Sequence, residues 1–242
     1  MRGVILAGGK GTRLSPLTNP LNKCLLPVYD RPMIMHVIST LVTGGITEIM
    51  IALDGSYPGM FLEMLEDGSS FGCSIVYRYR RSSEGPGRTL LLAQDWIGDE
   101  DFVVILGDSI FLCPLIFNGK DAPHMYIMPL DGFDNPQKYG QVKIAGNRII
   151  SMMWKPIEIF SNLIQTTCFI LPPDAFTRLH RLSKITRGEV PMSALTSQYV
   201  TEGLMRYTIL TSYTYIDCGS IPALHLAAKR ISERNTKIID DE

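Results

Sequence analysis

The chain has little of what membrane and nucleic-acid proteins depend on. No apolar run in its 242 residues approaches the ~18 residues that a membrane-spanning helix needs. Lys and Arg number 23 against 24 Asp and Glu, for a net charge of −1, which argues against a basic surface that would hold nucleic acid. The N-terminus shows no signal-peptide pattern, because a strand and a glycine loop begin at once. These absences argue against nucleic-acid and membrane partners.

Metal-binding cysteine and histidine patterns are also missing. The five cysteines are far apart and form no C-x-x-C pair, and the four histidines show no metal-ligand spacing. A zinc site is therefore not expected, and an odd number of separated cysteines fits a reducing cytoplasm better than a disulfide framework. The sequence predicts a cytoplasmic protein.

What is present is enough apolar sequence for a sizeable core. Hydrophobic residues make up 45% of the chain and charged residues 19%, a composition typical of a folded globular protein. The length suits one large domain or two small ones. We find no repeat and no Gly/Ser linker, so we predict a single domain spanning residues 1–242.

In the first half of the chain, short apolar runs alternate with helical patterns. This alternation predicts an α/β fold in which a Rossmann-like, mostly parallel sheet is flanked by helices. Ligands of such sheets bind beyond the carboxyl ends of the strands. The predicted strands are Gly3–Leu6, Glu48–Leu53, Ser74–Tyr79 and Phe102–Leu106, and the predicted helices are Pro32–Val42, Tyr57–Glu66 and Arg88–Trp96.

The second half of the chain contains more strands. We predict a β-rich substrate lobe at about 111–204, inserted into a nucleotide-binding core at about 1–110 and 205–242. The elements predicted there are a hairpin of Gln141–Ile144 and Arg148–Met152, strands Leu163–Leu171, Met205–Leu210 and Thr214–Ile216, and helices 173–182, 189–201 and 220–234.

The most informative segment is a glycine loop that follows the first strand. Gly8, Gly9 and Gly11 are followed by Thr12 and Arg13. Glycines at a strand end let the backbone approach a ligand and turn amide N–H groups toward it. The arginine adds a planar donor fork that suits phosphate. The segment therefore predicts a nucleotide phosphate site.

Two common glycine motifs are excluded by spacing. The dinucleotide fingerprint requires a third glycine where this chain has Leu14, and the P-loop requires Ser or Thr where it has Gly11. The remaining string is A-G-G-x-G-T-R-L-x-P-L-T from Ala7 to Thr18, continuing to Lys23 and to Leu25-Leu26-Pro27. It resembles the sugar-phosphate nucleotidyltransferases, and most closely the short forms of the glucose-1-phosphate thymidylyltransferases.

This resemblance implies a fold, a reaction and partners. The fold is that of the nucleotide-diphospho-sugar transferases. A sugar 1-phosphate, expected to be glucose 1-phosphate, attacks the α-phosphorus of a nucleoside triphosphate, expected to be dTTP, and pyrophosphate leaves. Such chemistry needs positioning and charge neutralisation rather than a protein nucleophile. Family members often assemble into homo-oligomers.

Four charged residues are the predicted catalytic and metal-binding groups. Arg13 would neutralise the triphosphate and the departing pyrophosphate, and Lys23 would meet the α-phosphate. Asp108 ends a buried strand after Gly107, a natural position for a Mg²⁺ ligand. Asp217, in a segment that resembles the family's L-D-T-G motif, would be the second ligand, so that Mg²⁺ serves as Lewis acid and template.

The resemblance also implies two groups of binding residues. The nucleotide site would comprise Leu6, Ala7, Gly8, Gly9, Gly11, Thr12, Arg13, Arg80 and Gly85. The sugar-phosphate site in the β-rich lobe would comprise Tyr139, Gly140, Trp154, Lys155 and Arg187.

Several positions depart from the family pattern. Cys24 and Arg80 replace glutamines that would contact the nucleotide, Trp154 replaces a glutamate, and Ser109 and Thr167 replace Asn and Gly. The phosphate- and metal-handling charges remain, whereas the groups that select base and sugar are altered. The reaction type is therefore better specified than the substrates. Two alternatives stay open: a nucleotide- or nucleotide-sugar-binding protein of the same fold with little or no turnover, and a nucleotidyltransferase that uses an alditol or choline phosphate.

Overall fold

The computed structural model describes residues 1–55, 57–82, 84–119, 122–131 and 135–240, with side chains in the last helix described to Arg234. The helices within these residues are α1 Met33–Thr43, α2 Pro58–Leu65, α3 Pro86–Leu90, α4 Gln94–Ile97, α5 Asp174–Ile185, α6 Met192–Thr201 and α7 Ile221–Asp240. The strands are β1 Arg2–Ala7, β2 Pro27–Val28, β3 Arg31–Pro32, β4 Glu48–Asp54, β5 Ser74–Arg80, β6 Phe102–Leu106, β7 Ser109–Phe111, β8 His124–Pro129, β9 Gly140–Ala145, β10 Arg148–Trp154, β11 Leu163–Leu171, β12 Arg206–Ile209 and β13 Tyr215–Asp217.

One sheet runs through the described part of the chain. Its main path is β10-β9-β11-β6-β1-β4-β5, and β8 joins it by pairing with β11 and β12. Strand β1 pairs in parallel with both β4 and β6, and β5 continues this parallel half. Strand β11 is antiparallel to β6, β8 and β9. The predicted α/β architecture and the β9–β10 hairpin are confirmed, and β11 connects the β-rich part directly to the parallel strands.

The continuous apolar runs of the central strands are explained by burial on both faces of the sheet. Val4 and Leu6 of β1 pack in one cluster with residues of α3, α5 and α6. Ile5 and Ala7 point the other way and pack in a second cluster with α1. Side chains alternate across a strand, so a strand covered on both faces needs apolar residues at every position. Each fully buried Leu or Ile contributes roughly 1.5–3 kcal/mol.

The predicted helix Arg88–Trp96 is wrong as a single element. The structure has α3, a 3₁₀ turn at Leu91–Ala93 and then α4. Leu90, Ala93 and Ile97 are all buried, so the broken element still buries residues at helical spacing. A tighter 3₁₀ turn preserves that spacing over one turn, and an apolar pattern therefore does not reveal the break.

The helix predicted from Glu189 begins only at Met192. Pro191 is extended, with φ −76° and ψ 153°, and the preceding segment is held by another part of the chain. The Val190 N–H donates to the Glu84 carbonyl (3.0 Å), and the Gly87 N–H donates to the Val190 carbonyl (2.8 Å). These two bonds place the 189–190 segment against the loop that precedes α3.

Two helices also extend beyond their predicted ends, and one strand of the large sheet was not predicted. Helix α5 continues to Ile185 and α7 to Asp240, beyond the predicted ends at 182 and 234, and β8 was not predicted. Helix ends fray and are the least determined part of a sequence pattern. No helix in the described residues is long and apolar enough to cross a membrane.

Candidate active site

The glycine loop leaves β1 at the carboxyl edge of the parallel strands. Gly9 has φ 91° and Gly11 has φ 60°, conformations in the left-handed region that glycine adopts without strain. The Thr18 hydroxyl donates to the Gly11 carbonyl (2.9 Å) and closes the loop. A 3₁₀ turn at Thr12–Leu14 follows, with Leu14 buried and Arg13 exposed. The predicted loop is thus at the predicted edge of the sheet.

A buried carboxylate that the sequence analysis did not identify holds this loop. Asp54, at the end of β4, is 4% exposed. Its Oδ1 accepts the Gly9 N–H (2.8 Å), and its Oδ2 accepts the Thr89 hydroxyl (2.7 Å). A Cβ on Gly8 would collide with the same carboxylate. The sequence does contain one sign of this residue. Asp54 ends an apolar strand and stands beside Gly55, just as Asp108 follows an apolar strand and stands beside Gly107.

Lys23 is directed into the site by a short turn. The Asn22 side chain accepts the Cys24 N–H (2.9 Å) and starts the 3₁₀ turn Lys23–Leu25. The Lys23 ammonium then lies 2.5 Å from Asp108 Oδ2. Burial by itself would lower the pKa of Lys23, but the Asp108 carboxylate together with Cys24 and Asp217 outweighs burial and raises that pKa above its usual value. Lys23 is therefore a fixed cation.

The two predicted metal-binding aspartates converge, although they are far apart in sequence. Strands β7 and β13 pair antiparallel with Asp217 opposite Ser109, and the Cys218 N–H donates to the Asp108 carbonyl (2.9 Å). The Gly219 N–H donates to Asp217 Oδ1 (2.9 Å). Burial, and then the negative charge of Asp108, raise the pKa of Asp217. Two acids at one place disfavour each other's charge.

Arg13 approaches the same acids from the glycine loop. A Cβ on Gly219 would lie 2.6 Å from Arg13 Nη2 and 2.9 Å from Asp217 Oδ1, so the bare glycine gives the guanidinium and carboxylate room to come together. Burial raises the pKa of Tyr139 to about 12, with Asp217 adding to the rise and Arg13 opposing it. Tyr139 therefore brings the β-rich lobe to the charge cluster, the name used below for Arg13, Lys23, Asp108 and Asp217.

A cavity of about 190 Å³ lies between the glycine loop, α3 and the charge cluster. One wall is the 84–87 segment: Gly85 has φ 87°, and a Cβ there would lie 2.8 Å from the Val190 nitrogen. The lining residues are Leu6, Gly8, Gly9, Lys23, Asp54, Gly85, Pro86, Thr89, Leu106, Asp108 and Glu189. The cavity thus gathers the glycine loop, the fixed cation and one metal-binding candidate.

The other predicted nucleotide-site residues, Ala7, Gly11, Thr12, Arg13 and Arg80, are not among the residues that line this cavity. The Ala7 side chain is buried in the core on the α1 face, and Gly11, Thr12 and Arg13 continue the loop. Arg80 Nη1 lies 3.8 Å from Glu84 Oε2. A larger open groove of about 520 Å³ on the outer side of the loop is lined by Lys10, Tyr57, Tyr79 and Arg81 among others. The smaller cavity is the better candidate, because it contains Lys23 and Asp108.

The predicted sugar-phosphate residues occupy the edge hairpin and a nearby loop. Gly140 pairs with Trp154 across β9 and β10, and a Cβ on Gly140 would lie 2.9 Å from the Trp154 ring and 2.7 Å from Gln165 Nε2. Trp154 is 48% exposed, and the Lys155 ammonium lies 5.2 Å from the centre of its ring. Arg187 is exposed, two positions before the cavity-lining Glu189.

The positions that depart from the family pattern have their own partners. Cys24 is fully buried, and a Cβ on Gly107 would lie 2.8 Å from its sulfur. Burial raises the pKa of Cys24 to about 12, so this thiol is not a ready nucleophile. The Thr167 hydroxyl is hydrogen-bonded to Ser109 and lies 3.2 Å from the Tyr215 hydroxyl. The threonine and serine thus replace the family's glycine and asparagine with a buried hydroxyl chain.

The donor set of the charge cluster fits a magnesium ion. In the described part of the chain no group of three His, Cys, Asp or Glu side chains is placed to hold a metal. Mg²⁺, however, is usually bound by one or two carboxylates together with substrate phosphates. Asp108 and Asp217 supply two carboxylates close to each other, and the negative charge of Asp108 adds to the effect of burial in raising the pKa of Asp217. Magnesium binding by this pair stays a prediction.

The arrangement suits phosphoryl chemistry. Arg13 and Lys23 place two positive charges beside a loop that leads into a cavity, and the two acids lie next to them. Phosphoryl transfer depends on positioning and charge stabilisation more than on covalent participation by the protein. The site therefore has the groups needed to bind a polyphosphate and to stabilise charge as a phosphorus–oxygen bond breaks.

Comparisons with known proteins agree with this chemistry. The family model described as nucleotidyl transferase matches residues 2–234. The glucose-1-phosphate thymidylyltransferase of Neisseria meningitidis serogroup A is 32% identical over 234 residues, which cover 94% of this chain and 81% of that protein. The enzyme of the same name from Mycolicibacterium smegmatis is 31% identical, with 93% and 80% covered.

Solved structures give the same fold. A Bacillus anthracis protein, provisionally identified as a glucose-1-phosphate thymidylyltransferase and crystallised with a sucrose, superposes with a TM-score of 0.83 at 29% identity, covering 95% of this chain and 94% of that one. A UDP-glucose pyrophosphorylase complexed with UDP-glucose superposes with a TM-score of 0.76 at 20% identity, covering 96% and 98%. The second likeness concerns the fold alone.

Proposed function

Because this chain belongs to the nucleotidyl transferase family, we propose that it transfers the thymidylyl group of dTTP to glucose 1-phosphate, giving dTDP-glucose and pyrophosphate. The observation that carries the proposal is the convergence of Arg13, Lys23, Asp108 and Asp217 beside the glycine loop. The names of the relatives that match most of the chain support the choice of substrates.

The reaction exchanges one phosphorus–oxygen bond for another. An oxygen of the sugar phosphate attacks the α-phosphorus of dTTP, and the bond to the β-phosphate oxygen breaks as pyrophosphate leaves. Arg13, exposed on the loop, neutralises the triphosphate and the departing pyrophosphate. Lys23 is held by Asp108 and stays charged, so it stabilises the crowded α-phosphate. One such cation is worth roughly 3–4 kcal/mol in the transition state.

Asp108 and Asp217 would hold a magnesium ion, which when bound supplies Lewis-acid polarisation of the phosphate oxygens. The protein's contribution is to keep the two carboxylates together. The β7–β13 ladder does this through its backbone pairing, and the Gly219 N–H fixes one oxygen of Asp217.

The β-rich lobe would bind the acceptor. Tyr139 meets the charge cluster, and Lys155 and Arg187 are exposed cations that would contact the sugar phosphate. Trp154, in place of a glutamate, offers a ring face to the apolar side of a sugar where the family pattern offers a carboxylate. A cytoplasmic location remains our inference from the sequence, and the free thiols of all five cysteines support it.

An assay of pyrophosphate release tests the proposal directly. Several nucleoside triphosphates are crossed with sugar 1-phosphates, an alditol phosphate and choline phosphate in the presence of Mg²⁺. We expect the highest rate with dTTP and glucose 1-phosphate. Asp108→Asn should lower kcat at least 100-fold, whereas Asp95→Asn, at an exposed surface ion pair, should retain the rate.

Other outcomes assign the alternatives. Turnover with choline phosphate or the alditol phosphate alone would show that the acceptor is one of these phosphomonoesters and not a sugar 1-phosphate. Triphosphate binding without turnover for any pair would make the chain a nucleotide-binding protein and contradict the proposal.

A further inference from the structure

We propose that Asp54 is a positioning residue that holds the glycine loop in the conformation in which the loop receives the triphosphate. The inference deepens the proposed function and rests on it, because the loop is taken to be the triphosphate site. It concerns a residue outside the charge cluster, at the end of a different parallel strand.

The Asp54 carboxylate joins two elements that bound the cavity. Its Oδ1 accepts the backbone N–H of Gly9 at 2.8 Å, and its Oδ2 accepts the hydroxyl of Thr89 in α3 at 2.7 Å. The partners are 45 and 35 residues away in sequence. Asp54 is 4% exposed and Thr89 is 1% exposed, so the bond between them is shielded from water, whereas the bond to the exposed Gly9 is partly buried. Losing the Asp54 acceptor leaves the Gly9 N–H without this partner, whereas the Thr89 hydroxyl can still donate to the Gly85 carbonyl.

The backbone of the loop is shaped to receive this carboxylate. A Cβ on Gly8 would collide with Asp54, and Gly9 has φ 91°. A glycine-rich segment has a wide choice of conformations, so an external contact is needed to select one. The bond from Asp54 to Gly9 supplies that contact at the start of the loop, four residues before Arg13.

The role of Asp54 is not to attract the phosphate groups of the ligand. Asp54 adds a negative charge to a cavity already lined by Asp108 and Glu189, and a triphosphate is itself strongly negative. The Gly9 N–H is occupied by Asp54, so it too is unavailable to the ligand in this arrangement. What remains is geometry: the carboxylate accepts two hydrogen bonds and thereby sets the path of the loop.

This distinction gives a sharp prediction for the neutral isostere. In Asp54→Asn the side-chain oxygen still accepts the Gly9 N–H, and the amide donates to Thr89. The Thr89 hydroxyl then donates to the Gly85 carbonyl, which lies 3.1 Å away. Asp54→Asn should therefore preserve the loop, whereas Asp54→Ala removes both bonds.

The test measures hydrogen exchange of the Gly9 amide in the full-length protein without substrate. Exchange should be ~10- to 100-fold faster in Asp54→Ala, the factor that corresponds to losing one hydrogen bond to a charged group, and within about threefold of the wild type in Asp54→Asn, as an acceptor remains. Thr89→Val keeps the side-chain shape, removes one of the two bonds and should give a smaller increase. Asp95→Ala, at an exposed ion pair, is the control.

Kinetics supply the second readout. In Asp54→Ala the KM for the triphosphate should rise about tenfold or more, with the KM for the sugar phosphate changed less than about threefold, since Asp54 bounds the nucleotide cavity alone. If Asp54→Ala fails to fold, the Gly9 exchange rate in Thr89→Val decides instead. Unchanged exchange in the variant measured would overturn the proposal.

An Asn variant as impaired as the Ala variant would also overturn it, by showing that the charge and not the geometry matters. Absence of turnover in the wild type would contradict the proposed function but not this assignment, because the exchange measurement needs no substrate.

Discussion

Lys23 is one cation that serves two acids. Its ammonium lies 2.5 Å from Asp108, and the charge of Asp217 also favours its protonated form. Replacing it by Lys23→Met leaves the buried Asp108 and the half-buried Asp217 without this cation, which is far more harmful than losing an exposed pair. We expect kcat for pyrophosphate release to fall ~100- to 1000-fold, as when one transition-state donor is removed.

The matched control is Lys184→Met, at an exposed position near the end of α5, which should retain the wild-type kcat. Circular dichroism would confirm that both variants fold. A folded Lys23→Met protein with a near-normal rate would remove Lys23 from the reaction.

The sequence predicts residues that belong to a local motif, but it does not predict residues whose role depends on contacts with distant parts of the chain. Lys23 and Asp108 follow from a motif and from a strand end, and the structure brings them into contact. For Asp54 the sequence shows a carboxylate at a strand end but not its partners, because Gly9 and Thr89 come next to it only when β1, β4 and α3 pack together. A side chain bonded to a distant backbone amide leaves no spacing that a single sequence reveals.

At the scale of elements, the loop that precedes α3 should be sensitive to an added methyl group. Gly85 and Gly188 both have φ 87°, but a Cβ on Gly85 would lie 2.8 Å from the Val190 nitrogen, whereas none of the described atoms lies within 4 Å of one on Gly188. The two positions therefore share the same positive φ, and the collision occurs at Gly85 alone of the two. Gly85→Ala should lower the free energy of unfolding by ~1–3 kcal/mol more than Gly188→Ala, the usual effect of overpacking.

Urea denaturation of the two variants measures that difference. Equal losses would mean that the 84–87 and 189–190 segments separate easily and do not form a fixed wall of the cavity.

Helix α1 contains a histidine that makes stability depend on pH. Burial lowers the pKa of His36 below its usual 6.5, although the Val28 carbonyl, which accepts from Nε2 at 2.9 Å, opposes that shift. Below about pH 6.5 the unfolded chain takes up a proton that folded His36 resists, so stability is lost as the pH falls. His36→Gln keeps a donor for Val28 and cannot become charged.

Thermal unfolding between pH 7.5 and pH 5 tests this account. The Tm of the wild type should fall more steeply with decreasing pH than the Tm of His36→Gln. His180→Gln, at an exposed position, should keep the wild-type dependence. Parallel curves for the wild type and His36→Gln would show that this histidine does not contribute.

The sequence predicted which strands and helices are present better than it predicted where a helix begins or is interrupted. The parallel strands are continuous apolar runs buried on both faces, and each was found near its predicted position. The break between α3 and α4 was missed because a 3₁₀ turn keeps the buried spacing of Leu90, Ala93 and Ile97. The late start of α6 depends on hydrogen bonds from Val190 to the 84–87 segment, about a hundred residues earlier in the chain.

At the scale of the whole molecule, the predicted nucleotide core and substrate lobe share one sheet. Strand β11 pairs with β6 of the parallel half and with β8 and β9 of the β-rich half. Tyr139 reaches from that half to the charge cluster at Arg13 and Asp217. Because these strand pairings join the two parts within the described residues, we expect them to unfold as one cooperative unit, as is usual for a single domain.

Calorimetry with and without ligand tests this cooperativity. A ligand present at 100 times its Kd stabilises the folded state by about 2.7 kcal/mol, and each kcal/mol raises Tm by ~2–4 °C in a chain of this size. Saturating dTTP with Mg²⁺ should therefore move one transition upward by ~5–10 °C. Asp108→Asn, which lacks one of the two carboxylates proposed to hold the ion, should show a smaller shift. Two transitions, with only one moved by the nucleotide, would mean that the lobe folds independently of the core.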